Sequence, residues 1–355
     1  MFSLMYLLLF LTQPVAVDNT KLVNDEVVFT LKPELPTNQE IDTLLEIMRT
    51  NPTNNVRLRL ASLYIQGSKL PGFGDWFHYA ESLLMQYVPS DTTSIDYLLL
   101  LSDIKQQQHH FSESLHLLDQ VFQAQPQHIQ ASLIAARIHL AMHNTDLAQK
   151  SCQRLLSQDI FLFSVCTYEV LGRKGEWQTA YEALYALHAK YYELEPALDI
   201  WIKGILSEQA EQLGHIRTAI EWLKPVLDKA PASLWLKWAD LNLDISEADI
   251  VYETLSNLKV VESLEDSLLL RLAIAERDLK RGEHYQTIIH DRMRLRVIRQ
   301  DTDHAADLAH YFLRLKYDPK LALYWAKINY QSAKEPDDKK LLVLSEQALL
   351  AMKSE

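Results

Sequence analysis

The chain has 355 residues, a formal net charge of −12 and only 8 glycines. Glycine supplies most of the positive-φ positions that hairpins and phosphate-binding loops require, so this composition argues against sandwiches, barrels and Gly-rich nucleotide sites. The acidic balance argues against nucleic acid as a partner, because phosphate binding needs a basic surface. Hydrophobic residues make up 48% of the chain, which excludes wholesale disorder. We therefore expect a folded protein that is rich in helices.

The first 17 residues contain a short apolar run, Leu4–Leu11, which is followed by Thr12–Ala16. A run of this length is too short to cross a bilayer, which takes about 20 residues. It is typical of a secretory signal peptide, and it predicts a periplasmic or secreted protein whose mature chain starts near Val17 or Asp18. Two alternatives stay open: a buried N-terminal helix, and an uncleaved segment that anchors the chain at the membrane, facing the periplasm.

The two ends of the remaining chain carry signals of their own. Residues 18–36 are predicted to be extended, with one candidate strand at Glu26–Leu31. The segment Thr37–Glu40 is a capping box that opens a lone helix, and a final helix is predicted at Lys339–Met352. A helix at each end would cover the apolar faces that a stack of repeats leaves exposed. Residues 37–355 are therefore predicted to form one solenoid.

Sequence self-similarity at a spacing of 34 residues indicates internal repeats, because Ser114 aligns with Ala148 in equivalent apolar stripes. A second match is plainer. Gly175–Leu184 aligns with Gly214–Leu223 at a shift of 39, and Gly, Thr, Ala, Glu and Leu coincide. Each repeat therefore holds two apolar helical stripes, with a turn between them that glycine can mark.

This pattern resembles the tetratricopeptide repeat (TPR) family, whose unit is a helix–turn–helix of about 34 residues. The small or apolar slot of the first helix is filled by Ala61, Ser102, Ala136, Tyr168, Ser207, Ala239, Ala275 and Ala309. The small slot of the second helix is filled by Ala80, Ser114, Ala148, Ala180, Ala219, Ala248 and Ala322. The resemblance covers about residues 40–352. It implies an all-α, right-handed α-solenoid of about seven TPR-like helix pairs with capping helices.

Three segments depart from a regular repeat. An enlarged turn occupies Leu70–Trp76 in the first full repeat. Pro225 lies inside a predicted second helix, which it should bend or break, because proline lacks the N–H that the helix needs. Tyr285–Arg299 is predicted to be an unusually long second helix. We therefore expect irregular stacking at these places.

The chain carries no recognisable catalytic motif. It has no G-x-S-x-G, G-x-x-x-x-G-K-[ST], H-E-x-x-H or C-x-x-C. His139 and His143 stand four residues apart without a third ligand, so we interpret them as repeat and turn positions, with a metal site as a minor alternative. The sequence predicts no enzyme activity and no cofactor, and it does not indicate the oligomeric state.

The inner face of the predicted solenoid is the candidate binding surface. In TPR proteins, side chains of the first helices line a groove that holds peptides, and one groove position directly follows the first-helix slot. Here this position is filled by Asp103, Arg137, Glu169, Glu208, Asp240, Glu276 and His310. Five of these seven are acidic, so the groove would attract Lys or Arg and repel a carboxylate. The alternative is that these acids are ordinary solvated helix residues.

A locally basic stretch follows in the long second helix, formed by Arg292, Arg294, Arg296 and Arg299. We interpret it mainly as a solvated helix face. The alternative is a docking patch for an acidic partner or an anionic surface.

The two cysteines, Cys152 and Cys166, lie on a predicted second helix and the first helix that follows it. Facing positions on such helices can reach the Cα separation of about 7 Å that a disulfide needs. However, Cys152 occupies an apolar slot that Leu118 fills in the preceding repeat. We therefore favour two buried free thiols, with a disulfide as the alternative.

These features together predict a non-enzymatic scaffold that binds a peptide or helix of a partner protein in an acidic concave groove. The alternative is a membrane-anchored assembly or chaperone-like factor with an uncleaved N-terminal segment, close to the membrane through residues 4–11. The segments Leu268–Arg277 and Ala326–Pro336 also look like those of exported bacterial TPR proteins of unknown function. That likeness bears on localisation and adds little to function.

Overall fold

A computed structural model of the chain describes residues 38–88, 94–191 and 193–354. Within these ranges the regular structure is entirely helical. The predicted signal peptide, the extended segment 18–36 with its candidate strand, and the capping-box residue Thr37 lie outside the described residues.

The described chain forms eighteen α-helices. Their bounds are α1 Asn38–Thr50, α2 Asn54–Ser68, α3 Trp76–Met85, α4 Ile95–Gln107, α5 Phe111–Ala124, α6 Ile129–Ala141, α7 Thr145–Gln153, α8 Ile160–Arg173, α9 Trp177–His188, α10 Pro196–Gln212, α11 Ile216–Leu223, α12 Ala232–Asp244, α13 Ala248–Ser256, α14 Asp266–Leu279, α15 His284–Arg299, α16 Ala305–His310, α17 Pro319–Ser332 and α18 Pro336–Ser354. The last of these begins three residues earlier than the sequence predicts.

Helices α2 to α17 pack as eight consecutive pairs, from α2 with α3 to α16 with α17, so the described chain holds one pair more than expected. Helix α1 packs on α2 at one end, and α18 packs on α16 and α17 at the other. The first helices of successive pairs also contact one another, as α4 contacts α2 and α6. This order of contacts is that of a solenoid, in which each unit packs mainly on its neighbours.

Small buried residues explain why the two helices of each pair approach closely. All seven predicted second-helix slots are at most 7% exposed, and seven of the eight first-helix slots are at most 3% exposed, the exception being Tyr168. In two pairs a serine adds a buried hydrogen bond across the contact. Ser114 Oγ donates to the carbonyl of Ser102 at 2.8 Å, and Ser207 Oγ donates to the carbonyl of Ala219 at 2.8 Å. The predicted repeat register is confirmed.

The turn residues behave as their chemistry requires. Gly175 and Gly214 follow first helices with φ of 98° and 79°, a left-handed region that glycine enters without steric cost. Pro225 ends α11 early, and the chain continues as a 3₁₀ segment at Lys224–Lys229. The long second helix is confirmed as α15, which has 16 residues.

The enlarged turn between α2 and α3 reaches across to the sixth and seventh pairs. The Glu265 carboxylate accepts hydrogen bonds from the N–H groups of Gly72 and Gly74 at 2.8–3.2 Å. The N–H of Ala232 donates to the carbonyl of Lys69 at 2.7 Å. The first pair is therefore joined to the start of α12 and to the connection between α13 and α14, and the extra turn residues serve this contact.

Cys152 and Cys166 form a disulfide, so the favoured interpretation as free thiols is wrong. Cys152 lies on α7 and Cys166 on α8, with their Cα atoms 5.6 Å apart. The two positions face each other across antiparallel neighbours. Both side chains also belong to the buried apolar cluster of this region, so the apolar slot and the disulfide are compatible.

Candidate functional site

The seven predicted groove residues lie one on each first helix from α4 to α16. Each directly follows the first-helix slot, which points toward the second helix of the pair, and most of them keep part of their surface exposed. Arg137 is exposed, whereas Asp103, Glu169, Glu208, Asp240 and His310 are half-buried. The structure thus aligns six of the seven along successive inner helices. The seventh, Glu276, is buried.

Glu276 serves as a helix cap. Its side chain is 1% exposed, and its carboxylate accepts hydrogen bonds from the N–H groups of His284 at 3.1 Å and Gln286 at 3.0 Å. Those groups lie in the first turn of α15, where backbone donors lack intrahelical acceptors. Glu276 therefore stabilises the seventh pair, and it is not accessible to a ligand.

Asp103 is already paired with a cation of the neighbouring unit. Its carboxylate lies 2.7 Å from Lys69 Nζ. Burial disfavours the ionised form, but Lys69 outweighs burial and holds the pKa of Asp103 below its usual value. Asp103 is therefore ionised, and the ammonium group of Lys69 balances its charge.

Asp240 holds the most buried cation of the inner face. Arg271, which is 2% exposed, donates from Nε and Nη2 to the two carboxylate oxygens of Asp240, each at 2.9 Å. This bidentate pair overcomes the effect of burial and holds the pKa of Asp240 well below its usual value. His310 lies nearby, and burial together with Arg271 lowers its pKa to about 3, so the imidazole is neutral.

Two acids share Arg173 in the middle of the inner face. Glu208 lies 3.1 Å from Arg173 Nε, and burial raises the pKa of its carboxyl to about 7 despite Arg173 and Lys237. Burial also raises the pKa of Glu169, again against the attraction of Arg173 and Arg137. Burial therefore raises the pKa of both carboxyls in this stretch, and Glu208 is partly protonated near neutral pH.

The connection between α17 and α18 and the first turns of α18 contact four inner helices, α6, α8, α10 and α12. The N–H of Lys334 donates to the carbonyl of Ala141, the last residue of α6, at 2.8 Å. Glu335 lies 3.4 Å from Arg173, and Asp337 lies 2.7 Å from Lys237. On the next turn, Lys340 Nζ lies 2.9 Å from Glu211 and 2.7 Å from Asp244. Two acids of the chain itself, Glu335 and Asp337, thus form ion pairs with cations of the inner face. The sequence carries no signal for these contacts, because the paired residues lie 96 to 193 positions apart. The repeat register also does not define how the turns stack on α18.

A cleft of about 1030 Å³ opens beside this connection, between α18 and the turns of the third to fifth pairs. Its apolar lining includes Trp177, Ile216, Val343 and Leu344. The charged residues that line it are Asp146, Arg173, Lys174, Glu211, Lys334, Glu335, Lys339 and Lys340. Five cations against three acids make the cleft basic, in contrast to the whole chain.

The helix pairing and the buried slots now decide the architecture. The chain is a TPR-like solenoid. A scan against protein-family models matches none, and a search of curated proteins finds no relative.

Several solved structures of low sequence identity are similar to this chain. A tetratricopeptide repeat protein from Parabacteroides merdae is 12% identical, with 71% of this chain and 88% of that chain covered and a TM-score of 0.43. The APC/C hetero-tetramer Cut9–Hcn1 has 15% identity, with 86% of this chain and 58% of that chain covered and a TM-score of 0.49. Human IFIT1 has 13% identity, coverage of 88% and 78%, and a TM-score of 0.47. At these values the assignment of the fold rests on the helix pairs of the chain itself.

In the TPR-like solenoid, two of the four arginines in the basic stretch on α15 form ion pairs with acids of the chain. Arg292 and Arg296 lie 3.0 Å and 2.6 Å from the carboxylate of Asp266, and Arg296 also lies 2.6 Å from Asp301. Arg294 and Arg299 are exposed. The structure therefore divides the predicted patch into two structural arginines and two exposed ones.

Two further observations concern metal ligands and membrane crossing in the described part of the solenoid. It contains no group of three or more His, Cys, Asp or Glu side chains arranged to hold a metal ion. None of the helices that the structure describes combines the length and apolar character that a membrane crossing needs.

Proposed function

We propose that this TPR-like solenoid is a non-enzymatic scaffold that binds a segment of a partner protein along its inner helices. The observation that carries the proposal is the row of half-exposed polar side chains on consecutive first helices. Such a row offers an extended peptide regularly spaced contacts, which is how stacked repeats present a long binding surface.

The middle of this row, around Glu169 and Glu208, suits a basic or neutral ligand segment. Asp103 and Asp240 already have cations, so they add little attraction for a ligand. Glu169 and Glu208 share Arg173 and hold carboxyls with raised pKa values. A Lys or Arg of a ligand would favour the ionised form of both acids, so binding would release protons. Affinity for a basic segment should therefore rise as the pH increases through 7.

Site-specific photocrosslinking in the native cell tests this proposal. A photoreactive residue at Arg137 on α6 should capture a partner protein, whereas the same residue at exposed Tyr185 on the second helix α9 should not. Glu169→Lys should reduce capture from position 137, because it places a like charge beside a basic ligand segment. The same adducts from both positions, at yields that Glu169→Lys does not alter, would contradict the proposal.

We also propose that the chain is exported and acts in an oxidising compartment. The disulfide between Cys152 and Cys166 supports this proposal, because such bonds persist mainly outside the cytosol. Intact mass of the protein from its native source should give a mature chain that starts near Val17 or Asp18. A mass that includes residues 1–17 would instead favour the membrane-anchored assembly factor.

A further inference from the structure

The last helix of the solenoid has the register of a first helix. Val343 lies 34 residues after the first-helix slot Ala309. Leu341 and Ser345, at 2% and 0% exposure, belong to the face of α18 that meets the eighth pair. Helix α18 is thus the first helix of a ninth pair, and in the residues that the structure describes no second helix follows it.

Exposure at the slot marks the place that a second helix would cover. The slot residue is at most 3% exposed in seven of the eight preceding pairs, because the second helix packs directly on it. Val343 is 40% exposed, and the adjacent Leu344 is 41% exposed. Both line the cleft of about 1030 Å³ between α18 and the turns of the third to fifth pairs. An exposed aliphatic side chain at this slot loses the burial that its equivalents gain.

The charges around this face indicate which kind of helix would fit. Lys334 and Lys339 are exposed at the cleft, and neither has an acidic side chain within 4 Å in the described ranges. The three other cations of the cleft are already paired, as Lys174 is with Asp146 at 2.8 Å. A chain with a net charge of −12 therefore exposes two unpaired lysines beside two exposed aliphatic residues. This combination is complementary to an acidic, amphipathic segment.

We propose that a partner protein supplies the second helix of the ninth pair, as an amphipathic α-helix with acidic residues in its C-terminal half. Second helices run antiparallel to the first helices that they follow through a short turn, so the C-terminal half of the incoming helix would lie beside Lys334 and Lys339. The negative end of its dipole would lie there too. A small residue, such as the alanine of the other second-helix slots, would face Val343. The cleft shares Arg173 with the inner face, but Val343 and Lys339 are not groove residues. Variants at these two positions therefore test this contact without altering the groove, and either proposal can fail without the other.

Binding of a synthetic helix tests the proposal. The probe is an alanine-rich amphipathic peptide of the length of α15, 16 residues, with glutamates in its C-terminal half, and the matched control peptide carries lysines there. Fluorescence anisotropy with the mature full-length chain should show binding of the acidic peptide and at least about tenfold weaker binding of the basic one. Lys339→Glu should reverse this preference. Equal affinity for the two peptides, or no binding of either, would overturn the proposal.

Substitution of the slot residue supplies the matched control. Val343→Glu should weaken binding of the acidic peptide by about tenfold or more, because it places a charge in the apolar contact. Ile160→Glu makes the same change at a residue that is 62% exposed on α8, and it should leave the affinity unchanged. Both positions are exposed, so neither substitution should unfold the chain. An equal effect of the two substitutions would contradict the assignment of the face.

Thiol labelling of Val343→Cys separates a partner helix from other occupants. The chain has two cysteines and both are in the disulfide, so the new thiol is unique. Rapid maleimide labelling in the isolated chain is the expected result. Protection in a monomer would show that another segment of this chain fills the position, and protection only in a concentration-dependent dimer would show a second copy. Either result would overturn the proposal.

Discussion

Asp240→Ala is expected to destabilise the middle of the solenoid, because it removes the main partner of a buried arginine. Arg271 is 2% exposed and donates two hydrogen bonds of 2.9 Å to the Asp240 carboxylate. Breaking a buried ion pair on one side costs about 3–5 kcal/mol, since the remaining charge stays buried without compensation.

The structure places the effect near the lower end of that range. Arg271 would keep weaker contacts, with the Asp307 carboxylate at 3.5 Å and the Ser267 carbonyl at 3.4 Å. Asp240 itself is 24% exposed, so part of its charge is already hydrated. We therefore expect a loss of about 3 kcal/mol, measured as the opening free energy of amides in α12 to α14 by native-state hydrogen exchange.

Two further variants make the argument refutable. Replacing both Asp240 and Arg271 with leucine should recover part of the loss, because the arginine no longer stays buried without its main partner. The recovery is incomplete because Asp307 loses its 3.5 Å contact with Arg271. Asp146→Ala removes an acid that is 88% exposed and paired with Lys174, and it should have no measurable effect. An opening free energy for Asp240→Ala within about 0.5 kcal/mol of the wild type would refute the structural role of the pair.

Three other predictions concern pH, the disulfide and packing. Burial raises the pKa of Glu208 to about 7, so the folded state binds more protons than the unfolded state between about pH 4.5 and 7. The free energy of unfolding therefore falls as the pH rises through that window. The urea midpoint of Glu208→Gln should fall less between pH 5 and pH 8 than that of the wild type. Replacing Cys152 and Cys166 with alanine should cost about 3 kcal/mol, because the disulfide closes a loop of about 15 residues, and an unchanged urea midpoint would contradict this value. Ala239→Leu should cost about 1–3 kcal/mol by overpacking a slot that is 0% exposed, whereas Ala189→Leu at an exposed helix end should be neutral in the same titration.

The repeat register could be predicted from the sequence because it depends on small residues at a fixed spacing. Ala239 and Ala309 are recognisable by position alone, and the structure buries both at 0% exposure. Pro225 is equally local, since its effect on α11 follows from its own chemistry. Local and periodic signals therefore gave the fold class and most helix positions.

The state of the inner face could not be predicted in the same way. The identity of the cation beside each acid depends on how units stack, and Lys237 meets Asp337 from 100 positions away. Glu276 matches the groove position in the repeat register, yet its carboxylate accepts hydrogen bonds from the first turn of α15. The disulfide depended on the relative rotation of α7 and α8, which the spacing of Cys152 and Cys166 leaves open.

Hydrogen exchange of the chain with and without its native partner tests the central claim most directly. The partner would be the protein that crosslinks from position 137, purified and added in excess. If the inner helices are the binding surface, protection should increase on α6, α8 and α10, while the second helices α7, α9 and α11 change little. Protection confined to those second helices, or none on the first helices, would contradict the account.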